Sequence, residues 1–237
     1  MTGPGGTHLH AHLAWSGRAH LDLMQLWRLV QPFEHESPHR RHRPSVSILR
    51  PVNGRAVWLN VGVKALLVGL LLFSVFSDLE RFNGKAMVAR ALTYPLAALV
   101  VPVVWYARGG PRPYPHLVDF LVVLPFVVDT GGNVLDLYSV SWFDNLAHFL
   151  NWTILVSAFA LALARTRLAR LPAWGLAVGF GAATEILWEI GEYLVMKLGS
   201  SGLQLTYVDT IGDLALGGCG TLLGATLVSA AWRLSRT

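Results

Sequence analysis

DNLAHFLNWTILVSAFALALA, residues 144–164, carries two patterns at once. At 1.5 Å per residue the segment is long enough, as a helix, to cross a hydrocarbon core about 30 Å thick. Yet Asp144, His148 and Asn151 recur at i, i+4 and i+7, which puts them on one face of that helix. A helix apolar everywhere except for one acidic, imidazole-bearing stripe must hide that stripe from lipid, so it needs partners of the same kind.

Apolar runs of similar length occupy roughly 57–77, 86–106, 117–137, 173–196 and 210–232. Of the 237 residues 53% are hydrophobic and 14% charged, against about 25% charged in soluble domains. That balance excludes a disordered chain and argues against a soluble enzyme. The runs are continuous instead of alternating in short strands, so helices are expected and a barrel is not. The fold class is therefore all-α, a polytopic membrane bundle of about six transmembrane helices spanning 57–237.

Lys and Arg orient the bundle, because basic residues in short loops stay on the cytoplasmic side. With the N-terminus inside, the inner segments hold fourteen (Arg18, Arg28, Arg40, Arg41, Arg43, Arg50, Arg55, Arg108, Arg112, Arg165, Arg167, Arg170, Arg233, Arg236) and the outer loops three (Arg81, Lys85, Lys197). Both termini are expected to be cytoplasmic. Distributed this way, the basic residues do not form a nucleic-acid footprint. Lys64 and Arg90 fall inside spans.

Residues 1–56 form a separate His/Arg-rich segment with seven of the nine histidines, including His8, His10 and His12, then His35, His39 and His42. A cytoplasmic metal-binding tail and a solvated basic leader are both readings of it; no carboxylate or cysteine fixes a geometry, which favours the leader. Between the clusters, Leu21, Met24, Leu26, Trp27, Leu29, Val30 and Phe33 suggest an interfacial helix. No cleaved signal is expected at residues 1–20, and Cys219, alone in an apolar segment, reads as a packing residue.

The placement of the acids is more informative. Of fourteen Asp and Glu, eight lie in or at the ends of the last four spans: Asp129, Asp136, Asp144, Glu185, Glu189, Glu192, Asp209 and Asp213. A carboxylate near the bilayer centre costs at least about 2.5 kcal/mol on insertion scales, so such residues are functional candidates. Asp129, Asn133 and Asp136 share one helix face, as do Glu185, Glu189 and Glu192, while Asp209 and Asp213 open the last span at i and i+4. Pointing four stripes at one another shields them all, and the expected topology puts them in the outer half of the bilayer, with Asp129 and Glu185 near the midplane. Asn133, Asn145 and Asn151 complete the polar set.

No Lys or Arg occurs from 113 to 164, and only Lys197 from 171 to 232, so protons, bound metal or both are expected to balance the acids. Oxygen ligands with one imidazole suit Mg, Ca, Mn or Zn. His148 and Glu189 are the candidate proton carriers. Lys64 and Asp119 are expected to pair or snorkel in the inner half. Rows of small residues, Gly175, Gly179 and Ala183, and Gly220 and Gly224, suggest close helix contacts, and Gly131 and Gly132 a loosening of the third helix.

The segments DTGGNVLDLY (129–138), WFDNLAHF (142–149), ATEILWEIGEY (183–193) and YVDTIGDLALGGCGTLLG (207–224) resemble a bacterial inner-membrane family of the YjdF type. More distantly they are similar to VanZ-like membrane proteins, which share an aspartate and histidine opening one span, a glutamate on the next, and an aspartate before a glycine-rich last span. The resemblance implies a multi-pass protein of the bacterial cytoplasmic membrane. It brings no established activity or catalytic residues. The VanZ-like group is associated with glycopeptide resistance at the envelope, and the Glu185, Glu189, Glu192 stripe is richer in acid than its pattern.

Three functions fit the sequence. One is a metal-assisted enzyme acting on a lipid-linked or envelope substrate at the outer leaflet; another, a cation- or proton-coupled transporter; the third, a membrane scaffold whose acids specify helix packing.

Overall fold

A computed structural model describes residues 54–110, 113–166, 168–203 and 205–234, except the side chains of Arg233 and Leu234. The His/Arg-rich segment and the interfacial stretch at 21–33 lie outside the described residues. Six long helices follow: α1 Gly54–Phe76, α2 Met87–Ala107, α3 His116–Val134, α4 Phe143–Ala164, α5 Arg170–Lys197 and α6 Tyr207–Leu234. Short 3₁₀ turns at Glu80–Phe82, Leu137–Ser139 and Ser201–Leu203 join them, and the described residues contain no strand.

Five of the six helices, all but α5, are long and apolar enough to cross a membrane. α5 has the length, 28 residues, and carries the three glutamates. Their position explains how it fits the bundle: Glu185 and Glu189 are buried, whereas Ile186, Leu187, Ile190 and Leu194 on the same helix are exposed. α2 likewise exposes Leu92, Leu96, Leu99 and Val103. Continuous outward apolar faces of this kind would associate in water and match a lipid surround.

The two larger of four apolar clusters each join three helices. Val63, Leu67 and Leu71 of α1 meet Tyr94 of α2 and Val123 and Val127 of α3. Trp152, Val156 and Ala160 of α4 meet Ala177 of α5 and Ala225 and Val228 of α6. Trp188 of α5 packs against both, stacking edge-on to Trp152 with centroids 6.0 Å apart. The tightest seam runs between α4 and α6. Added methyl groups at Gly220 and Gly224 would strike the backbone carbonyls of Phe149 and Thr153, so these glycines let two backbones touch.

The other small-residue row does not do this. Gly175 and Gly179 have open space where a side chain would be, and Ala183 is exposed. α3 also runs through Gly131 and Gly132 without loosening; Gly132 instead leaves room for Phe143 and Tyr138. It stops earlier than the apolar run suggests. Leu135 ends it and Asp136 follows in a left-handed conformation, φ 58°, so Asp136 does not continue the face of Asp129 and Asn133. Near the same end of the bundle, Gly84 (φ 71°) accepts a hydrogen bond from Gly202 N at 3.1 Å, clasping the α1–α2 and α5–α6 connections together.

Candidate functional site

His148 sits in the second turn of α4, 6% exposed, its ring stacked parallel to Trp152 four residues on. Trp152 is itself anchored by its indole N–H donating to Gly181 O of α5 at 3.1 Å. The imidazole is thus held by packing, with a carboxylate near each nitrogen. Its Nε2 lies 3.9 Å from Asp144 Oδ1 on its own helix and 3.8 Å from Asp213 Oδ1 of α6, while Nδ1 lies 3.8 Å from Glu189 Oε1 of α5. Three helices therefore converge on one ring.

These separations exceed a hydrogen bond. His148 Nδ1, Asp213 Oδ1 and both carboxylate oxygens of Glu189 are buried without a hydrogen-bond partner. Unpaired buried polar atoms cost roughly 1–3 kcal/mol each, more when charged, and these four lie together around His148. Ligand atoms about 2.0–2.2 Å from a shared ion lie roughly 3–4 Å apart, and the observed gaps fit. Two ligand groups arise, Asp144 with His148 and Asp213, and His148 with Glu189 and Glu192. Asp144 has 40% of its side chain exposed, which leaves the first group open towards the end of the bundle where α4 and α6 begin. Asp209, in the first turn of α6, and Glu192 are half-buried nearby, and the exposed Asn145 approaches Gly212.

Glu185 lies one turn deeper on α5 than Glu189, 2% exposed, against Gly217. Asn151 continues the His148 face of α4, 9% exposed. These two belong to the polar stripes without joining either three-residue group.

Asp129 stands apart from the acid cluster, and the expectation that the acids lack an internal cation fails for it. Arg90 of α2 donates from Nε to Asp129 Oδ2 at 2.9 Å; Tyr94 OH donates to the same oxygen at 2.6 Å and Tyr138 OH to Oδ1 at 2.9 Å. Arg90 also donates to the Lys85 carbonyl. With its charge balanced and both oxygens bonded, Asp129 is a closed structural ion pair. Asn133 is spent locally, donating to Asp129 O at 3.0 Å. Asp136, beyond the helix, shows only backbone interactions to neighbouring turn residues and Ser139. Burial, then the adjacent Asp129, pushes the Tyr138 phenol in the α3–α4 connection well above its ordinary range, so it remains a donor.

At the opposite end of α3 the Lys64–Asp119 pair forms, at 2.6 Å, with Asn60 Nδ2 and Tyr114 OH also donating to Asp119 Oδ2 at 2.8 and 2.5 Å. The sequence did signal Arg90, a lone cation inside an apolar span that had to find an anion. Tyr94, one turn on, and Tyr138 carried no such mark.

The fold and site define a multi-helix membrane protein with a buried histidine and acid cluster at one end of its α4–α5–α6 half. Residues 60–234 match the family described as predicted membrane protein (DUF2238). The chain belongs to that family, which is the YjdF type resembled by the motifs between 129 and 224. No curated protein and no solved structure matches the chain.

Proposed function

We propose that this protein binds a divalent cation at Asp144, His148 and Asp213 and uses it for metal-assisted chemistry on a lipid-linked or envelope substrate at the outer face of the bacterial cytoplasmic membrane. The carrying observation is the His148 ring, buried and packed, with carboxylates 3.8–3.9 Å from both nitrogens and no hydrogen bond on Nδ1. Three protein ligands with one open side are the arrangement of a reactive site more than of a closed structural one. Glu189, 3.8 Å from the far nitrogen, would on closing to a hydrogen bond fix the ring's tautomer, as carboxylates behind ligating histidines do, and accept a proton. When bound, the ion would supply Lewis-acid polarisation and a more acidic water. Mg, Ca, Mn and Zn all remain compatible with two carboxylates and one imidazole.

The topology that supports this reading has all six helices crossing, with both termini cytoplasmic. α5 is counted because its glutamates are turned inward and its apolar side chains outward. The fourteen-to-three distribution of basic residues then puts the Asp144 end outside. A cation transporter is the second reading, favoured by the continuation of polar groups to Asn151 and Glu185.

The test is elemental analysis of the purified full chain after exchange into metal-free buffer. Near-stoichiometric retained divalent metal in the wild type, lost in Asp213→Asn and in His148→Ala, supports the site; a metal-free wild type that also fails to take up Mg, Ca, Mn or Zn overturns it. Reconstituted vesicles that accumulate the same ion would favour transport over chemistry.

A further inference from the structure

The polar column does not end at His148. Register between α4 and α5 is fixed at two points, His148 beside Glu189 and Trp152 on Gly181 O, so Glu185, midway between 181 and 189, faces the turn that carries Asn151. α6 runs alongside: its Gly217 meets the Glu185 carboxylate and its Thr221 meets Gly181. One carboxylate, one amide and one hydroxyl from three helices thus lie within about one helical turn, 5.4 Å, of the same level.

All three are more than nine-tenths buried, with Glu185 and Thr221 at 2% exposure and Asn151 at 9%. Each holds an oxygen without a hydrogen-bond partner: Glu185 Oε1, Asn151 Oδ1 and Thr221 Oγ1. Thr221 is notable because Thr130, Thr153 and Thr184 in neighbouring helices all donate to the carbonyl four residues back, the ordinary refuge of a buried hydroxyl. Three buried oxygens without partners at about one level are a set that a cation would satisfy.

We infer that Glu185, Asn151 and Thr221 form a second, deeper cation site, one that takes a small monovalent ion and is separate from the His148 group. Charge selects valence: the layer holds one carboxylate and two neutral oxygens, so a single positive charge balances it, whereas the His148 group gathers several carboxylates and a nitrogen ligand. Close packing favours a small ion over a large one: no methyl group fits between Gly217 and Glu185 or between Gly181 and Thr221. Oxygen ligands with no imidazole or thiolate suit a hard cation, and Na⁺ is the probe of choice. The inference goes beyond the divalent reading and stands on different atoms.

The experiment measures ²²Na⁺ binding to the purified full chain in detergent, with divalent ions removed by EDTA so that the His148 group is empty. Saturable binding, displaced by unlabelled Na⁺ and not by choline, is expected in the wild type, with the dissociation constant raised at least tenfold in Glu185→Gln and several-fold in Thr221→Val. Wild-type protein without saturable binding overturns the inference, as does a folded Glu185→Gln that binds normally. Should Glu185→Gln fail to fold, Thr221→Val decides: an unchanged dissociation constant overturns. Retention of divalent metal is read separately on protein not treated with EDTA, so failure at either site is seen without ambiguity about the other.

Discussion

Gly217 of α6 lies so close to the carboxylate of Glu185 on α5 that a single methyl group there would overlap it. A glycine among the apolar residues of a helix normally costs stability against alanine, by about 1 kcal/mol in solution. Here the missing side chain is the space in which the acid sits. Gly217→Ala is expected to destabilise the protein by roughly 1–3 kcal/mol, the usual range for overpacking, while Gly218→Ala, with open space around it, should be neutral or slightly stabilising. Equilibrium unfolding in mixed micelles measures both, and equal behaviour would show that Glu185 is not confined by α6.

The Arg90–Asp129 pair invites a double-mutant cycle. Asp129→Asn removes the anion that a 9% exposed arginine depends on, and Arg90→Met leaves the carboxylate with only the two phenols. Breaking one partner of a buried pair costs about 3–5 kcal/mol, so each single variant is expected to fall in that range. The double variant should cost clearly less than the sum, because neither charge is then left alone. Additive losses would mean that the two residues act independently.

Alkaline titration reports on this cluster and on the Asp119 pair at the other end of α3. Tyr138, and Tyr114 beside Asp119, both have phenols raised above the ordinary value of about 10, by burial first and then by the neighbouring aspartate. Below that value both folded and unfolded chains hold the proton and the contribution to stability is whole. As pH rises through it, the unfolded chain ionises first and stability falls. Tyrosinate absorbance should therefore show these two residues titrating late, and Tyr138→Phe should remove one of them; unchanged late absorbance in that variant would contradict the Asp129 hydrogen bond.

Helix positions were legible because about twenty consecutive apolar residues match the thickness of a hydrocarbon core and little else in protein structure. The α4 stripe of Asp144 and His148 was legible because 3.6-residue periodicity survives in the structure. Convergence of Glu189 and Asp213 on that ring followed from the same logic. Asp129 and Asp136 departed from it for different reasons. Asp129 found its counter-charge on α2, and helix pairing across 39 residues leaves no local trace. Asp136 fell off the helix because α3 ends at Val134, a boundary that an apolar run does not mark. Gly175 and Gly179 were indistinguishable by spacing from Gly220 and Gly224; only the direction each row faces separates them, and rotation about a helix axis is set by the partners.

The two faces of His148 yield a prediction about stoichiometry. A neutral imidazole has one lone pair, so a cation on Nε2 with Asp144 and Asp213 leaves Nδ1 as a donor towards Glu189, and a cation on the Glu189 and Glu192 side requires the opposite tautomer. One divalent ion per chain is therefore expected. Because Asp144 is the exposed member and opens the Nε2 side, that side should fill. Asp213→Asn then abolishes retention, whereas Glu189→Gln, acting through the ring, weakens it by about 10–100-fold. Saturating metal at about 100 times its dissociation constant should stabilise the wild type by roughly 2.7 kcal/mol over the chelated protein, and Asp213→Asn by nothing. Elemental analysis paired with thermal unfolding reads both effects; two ions per chain would overturn the single-ion reading, and a stronger loss from Glu189→Gln than from Asp213→Asn would move the site to the other nitrogen.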